Sequence, residues 1–148
     1  PLPFVWGVLA FLTAYIPMLM DTGGNSGSQA SVSVIRALSL GDVEFRDVLK
    51  VIWKEIRVAV LCGITLAAAN FVKLILLDKL ALMVALVVCL TLVLVVLVAK
   101  IIGCTLPMLA DKAGLDPAVM ASPFITTLVD AIALVTYFKL ATVLLHIT

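Results

Sequence analysis

Leu80-Ala81-Leu82-Met83-Val84-Ala85-Leu86-Val87-Val88-Cys89-Leu90-Thr91-Leu92-Val93-Leu94-Val95-Val96-Leu97-Val98-Ala99 runs without a single charged side chain. About 20 such residues cross the hydrocarbon of a bilayer as a helix. The 148-residue chain as a whole shares this character: 64% of it is hydrophobic and 13% charged. A soluble domain carries about 25% charged residues, so the fold class is an all-α membrane protein and a water-soluble enzyme is excluded. A net charge of +1 makes no field that would gather nucleic acid. Cys62, Cys89 and Cys104 are odd in number and each lies in an apolar run, so they read as small packing residues rather than disulfide or zinc ligands.

Working outward, four spans are expected per chain, at about 2–20, 47–77, 80–106 and 117–145. The first is closed by Asp21 and the polar run Thr22-Gly23-Gly24-Asn25-Ser26-Gly27-Ser28-Gln29. The second is preceded by an amphipathic collar, Phe45 to Arg57, in which Glu55, like Glu44, belongs to a solvated charged face. The third continues past Lys100 toward Pro107. The fourth opens at Asp116-Pro117, an N-cap carboxylate followed by proline at the first helical position. Arg36, Arg46, Lys50, Lys54 and Arg57 crowd the first connection, and Lys100 and Lys112 the third. By the positive-inside rule, loops 21–57 and 100–116 are cytoplasmic and both ends of the chain face outside. An outside start without a signal peptide is awkward, and the expectation is that one further helix precedes this chain.

Asp130 falls near the middle of the fourth span, where a carboxylate costs about 2.5–3.5 kcal/mol on insertion scales. With Ser122 at zero and 100° per residue, Thr126 lies at about 40°, Asp130 at 80°, Ala133 at 20° and Tyr137 at 60°. Thr127 flanks this stripe. Pro123 is expected to free the carbonyl of Val119, which membrane tolerates only inside protein or beside water. A hydrated, oxygen-rich, carboxylate-centred lining suits a hard cation. The glycines after Asp21 lead to neither a P-loop nor a dinucleotide site, and read as a helix end with a turn. Phe4 and Trp6 read as interface anchors, as does His146 at the far end.

The run Ile16-Pro17-Met18-Leu19-Met20-Asp21-Thr22-Gly23-Gly24-Asn25-Ser26-Gly27-Ser28-Gln29, with Arg36-Ala37-Leu38 and Leu40-Gly41 after it, resembles the second membrane helix and following loop of the MgtE magnesium transporters. Leu115-Asp116-Pro117-Ala118, Ala121-Ser122-Pro123 and Ile125-Thr126-Thr127-Leu128-Val129-Asp130-Ala131 are similar to that family's fifth helix. The resemblance implies a multi-pass protein of the plasma membrane and a homodimeric magnesium channel whose pore runs along the dimer axis, lined by the first and fourth spans. Asp130 would hold a magnesium ion that keeps much of its water, with manganese, cobalt or calcium as stand-ins. Ser122, Thr126, Thr127 and Ala133 would line the path, and Gly23, Gly24 and Asn25 its cytoplasmic mouth. The family's five helices follow cytoplasmic magnesium-sensing and paired CBS modules, so this chain is expected to be a pore fragment with no nucleotide site. No ATP is needed: a divalent ion moving inward through 100 mV releases about 4.6 kcal/mol. The alternatives are a proton- or sodium-coupled carrier that loads its coupling ion on Asp130, and a non-transporting subunit that pairs Asp130 with a partner's cation.

Overall fold

The computed structural model describes residues 2–120 and 122–146, with side chains over 6–120 and 123–146. Five α-helices are present in it: α1 (Leu2–Ala14), α2 (Ile16–Leu40), α3 (Val48–Leu76), α4 (Leu82–Lys112) and α5 (Ser122–Leu145). Short 3-10 turns at Phe45–Asp47 and Pro117–Met120 lead into α3 and α5. Among the described residues three helical stretches, Phe45–Leu76, Leu82–Lys112 and Pro117–Leu145, are long and apolar enough to cross a membrane.

The first expected span is drawn differently. It breaks at Tyr15, because Pro17 has no N–H for the carbonyl of Thr13. The 13 residues of α1 reach only about 20 Å. After the break, α2 runs straight through the glycine stretch and ends at Leu40. The helix end expected at Asp21 is therefore absent. The true C-cap is Gly41, at φ 74°, whose N–H donates to Leu38 O at 3.1 Å while Asp42 N–H donates to Ala37 O at 2.9 Å. That left-handed corner suits glycine.

The central element is α4, which packs against α2, α3 and α5. It continues beyond Pro107, with Pro107 and Met108 buried, rather than stopping near 106. One core layer gathers Leu12, Leu19, Leu74, Val88, Leu92 and Tyr137; a second, at the opposite end, gathers Val34, Val51, Cys104 and Met108. Connections alternate between these ends. Tyr15 Oη donates to Asp78 Oδ2 at 2.7 Å, tying the α1–α2 joint to the α3–α4 turn. Lys73 Nζ adds an ion pair to the same oxygen at 3.0 Å. At the other end Lys112 Nζ lies 4.0 Å from the Phe45 ring centroid.

Two further expectations change. Glu55 does not face solvent: it is 5% exposed and accepts from Lys100 Nζ at 3.2 Å, between α3 and α4. Cys89 and Cys104 are buried as expected, whereas Cys62 is exposed on α3.

Candidate functional site

The glycines of α2 are buried within the helix, and each meets a neighbour. A Cβ on residue 23 would lie 2.6 Å from Val95 Cγ1 and 2.9 Å from Val129 Cγ1. On residue 24 it would lie 3.0 Å from Thr126 Cγ2, and on residue 27 it would lie 2.8 Å from Ile125 Cγ2. Hydrogen in place of a side chain thus lets α2 sink between α4 and α5. Small residues do this work in membrane bundles, where backbones must approach closely.

That packing leaves the opposite edge of α2 open. Asp21, Asn25 and Gln29 follow one another at four-residue steps; Asp21 and Asn25 are exposed, and Asn25 Nδ2 donates to Asp21 Oδ2 at 3.1 Å. Where this edge meets α5, a cleft of about 150 Å³ is lined by Met20, Asp21, Gly24, Thr126 and Asp130. Asp130 is half-buried in it. Two carboxylates from neighbouring helices therefore share one small cavity, and among the described residues neither forms an ion pair.

Thr126 and Thr127 turn their hydroxyls back to the carbonyl of Pro123, at 3.0 and 2.9 Å. Their protons are used, and a hydroxyl oxygen is also a hydrogen-bond acceptor. Pro123 lies in the first turn of α5, after the 3-10 turn, where its missing N–H breaks no helical bond; the freed carbonyl expected at Val119 does not arise from an interrupted helix. Asp116 caps the 3-10 turn instead of α5, accepting from Ala118 N–H at 2.9 Å.

Of the residues singled out by sequence, Asp130, Thr126 and Gly24 come together in the cleft, with Asn25 one turn along α2 and Thr127 exposed beside it. Gly23 is buried behind, against α4. Ala133 is buried at the level of Ile16, Leu19 and Tyr137. Tyr137, expected on the polar stripe, is 1% exposed and donates to Leu12 O at 2.9 Å, so it fastens α5 to α1. The side chains of Ser122 and Phe4 lie outside the described ones; Trp6 and His146 are exposed.

Asp21 was missed by sequence reasoning, which ended the helix there. The available signal was the Gly23-x-x-x-Gly27 spacing, a helix-packing pattern that argues for continuing the helix and puts Asp21 and Asn25 on one face. No group of three or more His, Cys, Asp or Glu side chains gathers among the described residues. Two carboxylates suffice for an ion that brings its own waters.

Comparison with known proteins identifies the family. The profile of a family described as MgtE, divalent cation transporter, matches residues 16–140. The chain belongs to the MgtE family. Proteins named magnesium transporter MgtE are similar to it: that of Thermus thermophilus is 39% identical over 135 residues, and that of Bacillus subtilis is 30% identical over 135. Each alignment covers 91% of this chain and 30% of the relative. That of Enterococcus faecalis is 29% identical over 140 residues, 93% of this chain. The chain thus spans about 30% of the length of these relatives. Membership in MgtE, with three helices among the described residues long and apolar enough to cross a membrane, makes it a multi-pass protein of the plasma membrane.

Proposed function

We propose that this chain forms the pore of a magnesium channel, in which two copies pair about a two-fold axis and a hydrated magnesium ion passes between them down the membrane potential. The relatives' shared name, magnesium transporter, supports the choice of ion. The observation that carries the reading is the cleft shared by Asp21 and Asp130. A carboxylate in a membrane bundle is costly unless something answers its charge, and among the described residues no Lys or Arg does so here. A transiting cation is the fitting counter-charge.

Magnesium suits the chemistry. It gives up water reluctantly and is usually held by one or two carboxylates while several waters remain. Asp130 is the principal ligand in this reading, and two copies across the axis match the ion's charge of two. Asp21 deepens the negative potential at the same level. Thr127, exposed beside the cleft, takes hydrogen bonds from the ion's waters, and Asn25, one turn on from Asp21, continues the path toward the cytoplasm. The open side of the cleft, where Asp21, Asn25 and Thr127 are exposed, is what a second copy would close.

Magnesium uptake into liposomes carrying the purified chain tests this, with and without an inside-negative potential. Uptake driven by the potential alone supports the channel. Uptake that needs a proton or sodium gradient makes the protein a coupled carrier, and no uptake overturns the proposal.

A further inference from the structure

The outward face of α3 carries a pattern that ion passage does not use. With Lys50 at zero and 100° per residue, Arg57 falls at about −20°, Lys54 at 40°, Trp53 at −60°, Leu61 at 20° and Ile64 at −40°. All are exposed, Trp53 at 62% and Leu61 at 70%. Val51, Glu55, Ala59 and Gly63 are buried on the other side, between about 100° and 220°. One sector of one helix is thus basic and aromatic at its start and apolar from Val58 onward.

Depth gives that order a meaning. At 1.5 Å per residue, Val58 to Leu76 spans nearly the whole hydrocarbon thickness of about 30 Å. With Val58 at the hydrocarbon edge, Arg57 lies about 1.5 Å beyond it, Lys54 about 6 Å and Trp53 about 7.5 Å, within the headgroup layer or at its rim. Lys50 lies about 12 Å out and is paired with Asp47 at 3.0 Å. Lys54 and Arg57 differ from it: among the described residues no carboxylate pairs with either. Glu55, between them in sequence, turns inward to Lys100. Two unanswered cations and an indole are left at the depth where lipid phosphates lie.

We infer that this face docks the headgroup of an anionic phospholipid. The lipid phosphate sits between Lys54 and Arg57, whose planar fork suits a phosphate. Its acyl chains run along the Leu61 and Ile64 ridge, and Trp53 anchors at the interface. Charge complementarity selects the occupant, because a basic cluster beside a spanning helix gathers anionic lipid from the leaflet it faces. The inference stands apart from the ion pathway, since α3 contributes nothing to the Asp21–Asp130 cleft.

Trp53 itself is the probe. In a Trp6→Phe background it is the one remaining tryptophan, and Trp6 is exposed, so that change is mild. The chain is placed in phosphatidylcholine vesicles containing phosphatidylglycerol, with bromine on the acyl chains of one lipid or the other. Brominated phosphatidylglycerol should quench Trp53 at least about five-fold more per molecule than brominated phosphatidylcholine, the gain expected for one cation near the surface. The preference should shrink with salt. It should vanish in Lys54→Gln/Arg57→Gln and persist in Lys54→Arg/Arg57→Lys, which keeps the charge should the first variant fold poorly. Equal quenching by the two lipids overturns the inference, and so does a preference that survives the Gln pair. Quenching by neither lipid overturns it as well, and means that protein, such as a second copy, covers the face.

Discussion

Gly103 of α4 lies against the main-chain carbonyl of Gly27 in α2, so closely that a Cβ on Gly103 would collide with that oxygen. This contact sets how deep α2 sits in the bundle, and through it the position of Asp21 and Asn25 relative to α5. On the other side of α2, Gly24 rests on Thr126. The two contacts hold the cleft from behind and from the side.

Gly103→Ala should therefore cost about 1–3 kcal/mol of stability, the range for overpacking a filled interior. It should also lower magnesium flux, because α2 must move outward. Gly7→Ala is the control: it lies inside α1 and nothing lies within 4 Å of a Cβ there, so it should be neutral or stabilising by up to about 1 kcal/mol. Thermal unfolding in detergent measures both. Equal stability of the two variants would contradict the close approach.

Glu55 and Lys100 make the second test. Their side chains are 7% and 10% exposed, so removing one leaves the other charged and buried. Glu55→Gln should destabilise by about 3–5 kcal/mol, whereas Glu55→Leu with Lys100→Met should be near neutral or stabilising. Unfolding midpoints of the single and double variants decide this, and a double variant as unstable as the single one would count against the pairing.

Asp78 supplies a pH dependence. The hydrogen bond from Tyr15 and that from Lys73 hold its carboxyl below the usual carboxylate range, against a smaller opposing effect of desolvation. A carboxylate whose pKa is lowered by folding stabilises the fold above its unfolded value, near pH 4, and that contribution is lost as pH falls through the lower folded value. The stability difference between the parent and Asp78→Asn should be constant from pH 7 to about 5 and should shrink below about pH 4. Unfolding midpoints across that range measure it; a difference that widens on acidification would reverse the sign argued here.

Much of the fold is written in composition. The second to fourth spans are legible because an apolar run of that length with so few charges has one economical solution, a helix in lipid. Asp130 is legible for the converse reason, a lone carboxylate in the middle of such a run. The glycine stretch misleads. Glycine marks helix ends in water, but in α2 Gly23, Gly24 and Gly27 serve contact with Val95, Thr126 and Ile125, partners 72 or more positions away in the chain. Ending the helix at Asp21 then hid the carboxylate that meets Asp130. Glu55 misleads similarly: its neighbours Lys54 and Arg57 face outward, and its partner lies 45 residues on. Tyr137 satisfies the helical stripe arithmetic, yet its ring fills core and its hydroxyl needs the carbonyl of Leu12. Local period tells which residues share a face; it does not tell which face the bundle buries.

Asp130→Asn tests the central claim most directly. It keeps the side chain's size and a neutral oxygen but removes the charge, so the fold should persist and unfold at the parent's temperature or above it. Magnesium uptake under an inside-negative potential, read in liposomes carrying equal amounts of parent and variant, should fall to the level of empty vesicles. Uptake at the parent rate by a folded Asp130→Asn chain would contradict the account and leave Asp130 a structural residue.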